Sequence, residues 1–543
     1  MSVVKSSLLF SMGTLISRIS GLIRDQVVLA VFGASIYLDA FYVAYRIPNL
    51  LREMVAEGAM GSAFTKVYSS LFEEDRERAK KLLWDSLYFT FLLSLCICGI
   101  GILLAPYLVR AMTLAKPAGM LREVFLSNTT GLTRLLFPYL GMTIVGSIVM
   151  GALHQSGRFF LSAIAPIVFN IGNIIGALFF SELLEKYHPE WVQDLIGDPK
   201  ITGLAIGVLV GGIGHFFLQL WGIWSSVFND IEWKVFNIPW SEDLKKVLII
   251  MIPAAVAASS GPINVLINTN FATSLGTGAV TWLNTAFRLL QLPVGIFGVA
   301  VGVAVLPRLA RAIKEKDKYK IDKNVSLVFQ QACEFVLWLN VPCMVVLLAN
   351  DRNVIQILFQ YGKFSPSDTV ATANALFAYS FGIIGYGLIK VLTSFYYAVE
   401  RTKYAMKVSI VSISVNFIGN YVLVNSYGHI GLATTASITL TFNSLVLIAG
   451  LRRHNLQIER YELLKSISCL VCASLLSVYF QKILEHWIIS FFNKSSEVYP
   501  KPLVFGILTA NCLIVMIVFA VFAGIRIRGS NIDINRFFKF KSR

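Results

Sequence analysis

Charged side chains lie in or beside the first two apolar segments of this sequence, and another, Arg288, lies inside an apolar segment far along the chain. The N-terminal set comprises Arg18, Arg24, Asp25, Asp39, Arg46, Arg52, Glu53 and Glu57. A charged residue at bilayer depth costs about 2.5–3.5 kcal/mol even on the most lenient scale, so such residues persist where they face a cavity and bind a ligand. The excess of arginine over carboxylate predicts that this ligand is anionic.

Some of these charges are expected to pair with one another. On a helical wheel of 100° per residue, one face of the second segment carries Asp39, Arg46, Glu53 and Glu57, with Asn49 beside them. Opposite charges at bilayer depth should pair. We therefore expect Arg46 to hold helices together through Asp39 or Glu53.

Three arginines are better candidates for ligand contact, namely Arg24, Arg52 and Arg288. The guanidinium group of arginine is planar, always charged and able to donate two parallel hydrogen bonds, which suits phosphate. Several guanidinium groups on different parts of the fold would together hold a diphosphate. The role of Arg18 stays open, because its head could also snorkel to an interface.

Composition places these residues in a membrane protein. Of 543 residues, 56% are hydrophobic and 14% are charged, against about 25% charged residues in soluble proteins. The net charge of +16 does not indicate nucleic-acid binding, because Lys and Arg concentrate in alternate loops as the positive-inside rule expects. The basic side, with both termini, is predicted to be cytoplasmic.

The apolar runs predict an all-α polytopic fold with about 14 transmembrane helices. Four short motifs recur in the same order: Ala-Tyr-Arg-Ile and Ala-Phe-Arg-Leu (44–47, 286–289), Leu-Phe-Pro-Tyr and Leu-Phe-Ala-Tyr (136–139, 376–379), Ile-Gly-Asn (171–173, 418–420), and Gly-Leu-Ala (203–205, 431–433). They pair helices 2, 4, 5 and 6 with helices 8, 10, 11 and 12. The repeat predicts two six-helix lobes of the same orientation with a site between them.

The predicted domain boundaries follow from this repeat. They are an N-terminal lobe at 1–228 (helices 1–6), an amphipathic linker at 229–246, a C-terminal lobe at 247–454 (helices 7–12), and helices 13–14 with a cytoplasmic tail at 455–543.

No catalytic constellation is recognisable in the sequence. It has no Gly-x-x-x-x-Gly-Lys loop, no His-Glu-x-x-His and no Ser/His/Asp set, and His154, His215 and His429 are expected to make ordinary polar contacts. A membrane enzyme acting on polyprenyl phosphates would need an acidic metal motif or a catalytic histidine. We therefore expect a transporter rather than an enzyme, with no bound cofactor or metal. A non-transporting scaffold of the division machinery would not need Arg24 or Arg52.

Residues 17–25 (Ser-Arg-Ile-Ser-Gly-Leu-Ile-Arg-Asp) resemble the first-helix signature of the MurJ (MviN) lipid II flippase family, in the MOP exporter superfamily. Residues 39–41 (Asp-Ala-Phe), 46–52 (Arg-Ile-Pro-Asn-Leu-Leu-Arg) and 56–59 (Ala-Glu-Gly-Ala) resemble its second helix. Arg288, followed by Pro293, resembles its eighth helix.

The resemblance implies two lobes around a cationic cavity, with a lipid-facing groove at helices 13 and 14. It implies a set of substrate-binding residues, which are Arg24, Arg52, Arg288, Asn49 and Ser17. It also implies a supporting charge network, which consists of Arg18, Asp25, Asp39, Arg46, Glu53, Glu57 and Thr281. Some relatives place carboxylates for sodium where this chain has Asn268 and Asn420. Asn416, one turn before Asn420, belongs to the same candidate cation site, and both asparagines could instead bond across helices.

The expected function is translocation of lipid II, the undecaprenyl-diphosphate-linked peptidoglycan precursor, across the bacterial inner membrane by alternating access. Coupling to Na⁺, H⁺ or the membrane potential is expected. Besides lipid II, the expected partners are membrane lipids and the cell-wall synthesis or division machinery, and not nucleic acid. The alternatives are a flippase for another polyprenyl-diphosphate-linked oligosaccharide, of O-antigen or capsule type, and a multidrug antiporter. Cationic drugs would favour an acidic cavity, so the arginines argue against the antiporter.

Overall fold

The computed structural model describes residues 3–114, 120–227, 241–304, 323–399, 401–451, 459–492 and 500–528. Every regular element within these ranges is a helix, which confirms the predicted all-α fold. Residues 229–240 of the predicted linker and 529–543 of the predicted tail lie outside these ranges.

The helices of the first half are α1 (Val3–Phe32), α2 (Ile36–Leu51), α3 (Gly61–Glu74), α4 (Arg76–Met112), α5 (Met120–Gln155), α6 (Phe159–Ile175), α7 (Ser181–Tyr187), α8 (Glu190–Leu195), α9 (Pro199–Val227), α10 (Glu242–Ala258) and α11 (Ser260–Ser274). Two π-helical segments join their neighbours without a break, at Arg52–Met60 and Gly176–Phe180.

The helices of the second half are α12 (Ala279–Ala304), α13 (Lys323–Ala349), α14 (Asp351–Phe359), α15 (Pro366–Ser380), α16 (Gly382–Ala398), α17 (Thr402–Leu451), α18 (Arg460–Phe492) and α19 (Lys501–Arg528). Helix α17 is interrupted at Gly428, whose φ of 55° and ψ of −133° are not helical. It therefore consists of two helical arms.

Eight helices in the described ranges are long and apolar enough to cross a membrane. The count is nine if α15 and α16, which meet at a bend of 46°, form one broken span. The chain is thus a multi-pass membrane protein, and the count of about fourteen spans stays a prediction.

The chain divides into two compact units. The first comprises Met1–Thr281 with Tyr361–Ser365, and the second comprises Trp282–Gln360 with Pro366–Arg543. Helices α10 and α11 thus group with the first unit. The predicted lobe boundaries at 228 and 247 stay a prediction.

Helix α2 carries Pro48 near its end and continues directly into the π-helical segment at Arg52. Proline removes a backbone donor and crowds the carbonyl four residues earlier, and π-type hydrogen bonds span five residues instead of four. Each residue in such a segment turns through less than 100°. The helical wheel of 100° per residue that placed Asp39 and Arg46 on one face therefore does not apply to Glu53.

Helices α6 and α9 cross with their backbones in close approach. A Cβ placed on Gly207 would lie 2.5 Å from the Cα of Gly176, and one on Gly172 would lie 2.3 Å from the Cα of Gly211. Glycines spaced four residues apart produce such contacts in membranes, because dispersion packing replaces the hydrophobic effect there. The crossing fixes two helices that carry polar residues of the candidate site.

The last two helices are fastened to α13 through buried polar contacts. Arg526 is 4% exposed and lies 3.3 Å from a carboxylate oxygen of Glu334 on α13 and 2.7 Å from one of Glu462 on α18. The indole nitrogen of Trp338 donates to Ser466 Oγ at 3.0 Å. Helices α18 and α19 are therefore an integral part of the second unit.

Candidate functional site

The Arg24 side chain lies in a buried polar cluster between α1 and α6. Its Nε and Nη2 both donate to Asp25 Oδ1, at 3.0 and 2.7 Å, and its Nη1 donates to Asn170 Oδ1 at 3.0 Å. The two charged side chains are only 13% and 10% exposed. The guanidinium is thus held in one orientation by a carboxylate and a neutral amide.

Asn170 on α6 completes this cluster, and sequence reasoning missed it. It is 5% exposed, and its amide nitrogen donates to Ser20 Oγ at 2.7 Å and to the backbone oxygen of Ser17 at 3.3 Å. Ser17 therefore contributes its carbonyl here. The only sequence signal was that Asn170 precedes the repeated Ile-Gly-Asn motif at 171–173.

A second amide orients Arg52, at the start of the π-helical segment. Arg52 Nε donates to Asn49 Oδ1 at 3.0 Å, and Asn49 Nδ2 donates to Glu53 Oε1 at 2.7 Å. Asn49 is 7% exposed. The predicted residues Asn49, Arg52 and Glu53 are therefore in contact with one another.

Arg52 also lines a half-open cavity between α5 and α9. Its polar lining includes Tyr139, Thr143, His215 and Gln219. His215 was expected to make only ordinary polar contacts. It does bond to Gln219, with the two Nε2 atoms 2.9 Å apart, but it also faces this cavity.

Aromatic residues connect the Arg24 cluster to this cavity. Tyr45 on α2 is near enough to Arg24 to interact with it electrostatically. The Tyr45 ring stacks on the ring of Tyr139, with centroids 5.9 Å apart, and Tyr139 stacks in turn on Phe169 at 5.1 Å. The cluster and the cavity are therefore parts of one packed region in the first unit.

Asp39 caps the start of α12. Its two carboxylate oxygens accept hydrogen bonds from the backbone nitrogens of Gly278 and Thr281, at 2.7 and 2.8 Å, and from Thr281 Oγ1 at 2.6 Å. A carboxylate at a helix N-terminus satisfies unpaired N–H groups and complements the helix dipole. Asp39 and Thr281, two members of the predicted charge network, are thus in direct contact.

The remaining predicted residues are distributed over both units. Arg18 and Arg46 are half-buried on α1 and α2, and Arg288 is half-buried on α12 in the second unit. The side chain of Glu57 lies outside the described part of the structure.

The candidate cation residues belong to different units. Asn420 Nδ2 donates to Asn416 Oδ1 at 3.2 Å, and both are almost fully buried on α17. Asn268 lies half-buried on α11 in the first unit. The contact between Asn416 and Asn420 lies within one helix.

The first unit therefore presents two arginines that each donate to a neutral amide, and Arg24 is also paired with Asp25. Guanidinium groups held in this way are preorganised for an anion, because little side-chain freedom remains to be lost on binding. Phosphate oxygens are suitable partners, since charge-assisted bonds to arginine are among the stronger hydrogen bonds in proteins.

Comparison with known proteins agrees with this chemistry. The family model described as lipid II flippase MurJ matches residues 28–498. The lipid II flippase MurJ of Burkholderia cenocepacia is 32% identical over 458 residues, which are 84% of this chain and 85% of that relative. The resemblance to this family is thereby confirmed, and residues 39–59 lie within the matched range.

Solved structures agree on the fold. A lipid II flippase MurJ in an inward closed conformation matches with a TM-score of 0.75 and 24% identity, covering 96% of this chain and 99% of that one. An inward-facing multidrug resistance MATE family transporter of the MOP superfamily matches with a TM-score of 0.59 and 15% identity, covering 83% and 95%. By the extent of the family match and the identity to its relative, this chain belongs to the MurJ family of lipid II flippases.

Proposed function

We propose that this protein translocates lipid II from the cytoplasmic to the outer leaflet of the bacterial inner membrane. The observation that carries the proposal is the buried Arg24 cluster, in a chain of this family. Asp25 and Asn170 hold the guanidinium in a fixed orientation. An arginine held at bilayer depth is expensive, and a lipid diphosphate is a ligand that would explain its retention.

Arg24, Arg52 and Arg288 are the proposed diphosphate-binding residues, with Asn49 and Ser17 as supporting residues. Asn49 orients Arg52 through its amide oxygen, and the Ser17 carbonyl accepts from Asn170. Arg18, Asp25, Asp39, Arg46, Glu53, Glu57 and Thr281 form the proposed charge network.

The proposed cycle is alternating access. The headgroup enters from the cytoplasmic side, the arginines bind the diphosphate, and the lipid tail stays in the bilayer near α18 and α19. Both termini are cytoplasmic in this proposal. The protein performs no covalent chemistry in the cycle. Membrane potential is a suitable driver, because moving one charge through 100 mV changes the free energy by about 2.3 kcal/mol, and coupling to Na⁺ or H⁺ is compatible with the same cycle.

The test measures lipid II exposed at the outer face of cells whose own flippase has been replaced by this chain. The probe is a toxin that cleaves lipid II only from outside. We expect the parent chain to restore cleavage, and Arg24→Ala and Arg288→Ala to lose at least tenfold, because each removes charge-assisted bonds of about 1.5–3 kcal/mol.

The matched control is Arg110→Ala, which removes an exposed arginine from the last turn of α4. We expect it to match the parent. If a stably inserted parent chain did not restore cleavage, the lipid II proposal would be wrong, and exporters of other lipid-linked oligosaccharides would be tested next. If both site variants retained full cleavage, the protein would remain a flippase but the binding residues would be wrong.

A further inference from the structure

A short segment from the second half of the chain packs against the end of α1. Residues 361–365, between α14 and α15, group with the first unit, whereas the chain up to Gln360 and again from Pro366 belongs to the second. We call residues 361–365 the strap. The chain thus leaves the second unit for the length of the strap and then returns to it.

The strap caps the C-terminal end of α1. The backbone nitrogen of Lys363 donates to the oxygen of Ala30 at 2.8 Å, and the backbone nitrogen of Gly33 donates to the oxygen of Leu29 at 2.8 Å. The last four carbonyls of a helix have no partner inside that helix, so each needs one from elsewhere. The strap therefore satisfies a backbone group that α1 itself leaves open.

Two glycines allow the backbones of the strap and α1 to touch. Gly33 and Gly362 have φ values of 60° and 55°, in the left-handed region that favours glycine. A Cβ on Gly362 would lie 2.2 Å from the oxygen of Ala30, and one on Gly33 would lie 2.6 Å from the oxygen of Lys363. Neither position has room for a side chain while the contact is formed.

Side chains of the strap add to this contact. Phe364 is 2% exposed, and its backbone nitrogen donates to the oxygen of Tyr361 at 3.1 Å, which closes the strap into a tight turn. Lys363 is near enough to Glu185 on α7 to interact with it electrostatically. The strap is thus held on the first unit by backbone, apolar and charged groups together.

The residues that flank the strap are fixed in the second unit. Lys501 on α19 donates to the backbone oxygen of Gln360, and Thr369 Oγ1 on α15 donates to the Gln360 side chain at 3.1 Å. The indole nitrogen of Trp282 donates to Asp368 on α15 at 2.9 Å. Because only the short strap separates these bonds from those to α1, movement of one unit against the other cannot preserve both sets.

We infer that the strap is a latch on the outer end of α1, which holds the protein closed to the outside while the headgroup enters from the cytoplasm. The inference rests on the proposed function, in which the N-terminus is cytoplasmic and the C-terminal end of α1 is therefore outer. Helix α1 carries Arg24, so the latch also positions one of the proposed diphosphate-binding residues. Opening toward the outside then requires Lys363 to release Ala30.

The test measures how fast a cysteine at the start of α12 reacts with a membrane-impermeant maleimide added outside spheroplasts. Ala279→Cys is the reporter, because Ala279 is 1% exposed and directly follows Gly278, which is bound to Asp39 within the first unit. The native cysteines give the background, which is measured in the chain without the reporter. Opening of the outer side should expose the reporter and speed its labelling.

Two variants weaken the latch in different ways. Lys363→Pro removes the N–H group whose hydrogen bond Ala30 accepts, and Gly362→Ala places a methyl where the Ala30 oxygen lies. Loss of one backbone hydrogen bond shifts an equilibrium about three- to tenfold. We expect labelling of the reporter to become faster by about that factor in both variants, because outward opening no longer breaks this bond.

Each variant has a matched control. Lys363→Ala keeps the backbone N–H, and it should label like the parent because Lys363 is exposed and exposed ion pairs contribute little. Gly157→Ala places a side chain at a φ of 72°, a strain similar to that at Gly362, but with nothing within 4 Å. It should also label like the parent, which separates backbone strain from release of the latch.

Two outcomes would overturn the inference. Unchanged labelling in both Lys363→Pro and Gly362→Ala, in chains that fold as stably as Gly157→Ala, would mean that the strap only caps α1. Equally fast labelling in the controls would mean that the reporter senses general loosening of the fold. Lipid II exposure by the parent tests the proposed function separately, so its failure is distinguished from a failure of the latch.

Discussion

Replacing Asn170 by leucine tests whether the amide on α6 positions Arg24. Asn170 accepts a hydrogen bond from Arg24 Nη1 at 3.0 Å and donates one to Ser20 Oγ at 2.7 Å. Leucine is close in size to asparagine but offers neither an acceptor nor a donor. The substitution therefore leaves Arg24 with Asp25 alone and removes the polar link between α1 and α6.

The structure allows the cost of Asn170→Leu to be worked out. The bond from Arg24 is charge-assisted and contributes about 1.5–3 kcal/mol. The neutral bond to Ser20 contributes about 0.6 kcal/mol at membrane depth. Together they predict a loss of about 2–3.6 kcal/mol in the free energy of unfolding. They also predict at least tenfold less lipid II exposure, because the arginine is no longer preorganised.

Asn173→Leu is the matched control. Asn173 lies one turn further along the same helix and is equally buried, but its amide donates only within α6, to the backbone oxygen of Phe169 at 2.7 Å. We expect this variant to lose at most about 1 kcal/mol and to retain exposure. Unfolding of the purified chains in detergent gives the stabilities, and the lipid II-cleaving toxin gives the exposure.

A third variant separates positioning from stability. Asn170→Asp keeps an acceptor for Arg24 and should recover most of the stability lost in Asn170→Leu. It should not recover lipid II exposure, because a second carboxylate beside Asp25 gives the cluster a net negative charge, which repels an anionic ligand. Equal behaviour of Asn170→Leu and Asn173→Leu in both assays would refute the positioning argument.

Two further predictions concern packing and pH. Gly207→Ala should lower the free energy of unfolding by about 1–3 kcal/mol, because the added methyl would overlap the α6 backbone. The control is Gly99→Ala, whose methyl would meet nothing within 4 Å and should raise the free energy of unfolding by up to about 1 kcal/mol. Equal stabilities of the two variants would contradict the close crossing of α6 and α9. Burial raises the pKa of Asp243, but hydrogen bonds from Lys246 and Arg78 outweigh it and lower this pKa overall. Because this pKa is lower in the folded than in the unfolded protein, the ionised carboxylate stabilises the fold at pH values above the unfolded-state pKa of about 3.9. This stabilisation is lost as the pH falls through the folded-state pKa. Asp243→Asn should therefore be less stable than the parent at pH 7, with a difference that shrinks below pH 4, and a constant difference would contradict the pairing.

Much of the candidate site could be predicted from the sequence because its charges are conspicuous at bilayer depth. Arg24, Arg52 and Asp39 were identified on that ground, and the structure places each in a network of short hydrogen bonds. The helical fold followed from the apolar runs. These signals are local, so a single segment is sufficient to reveal them.

The partners of these charges could not be predicted in the same way. Asn170 is 146 residues from Arg24 in sequence, and an asparagine in an apolar helix is not unusual enough to be noticed. His215 on α9 lines the cavity together with residues of α5 and the π-helical segment, and this meeting of distant segments has no local sequence signal. The π-helical segment at Arg52 changes the angular position of each residue after Leu51, and no periodicity in the sequence indicated it.

The choice of amides beside the arginines has a consequence for anion binding. An amide oxygen accepts from a guanidinium without cancelling its charge, whereas a carboxylate would hold the guanidinium more firmly and neutralise it. Asn49 orients Arg52 and Asn170 orients Arg24 in this way, with Asp25 as the carboxylate partner of Arg24. Each amide therefore fixes the direction of a guanidinium without adding another negative charge beside it. A guanidinium that is oriented in this way is preorganised for an anionic headgroup.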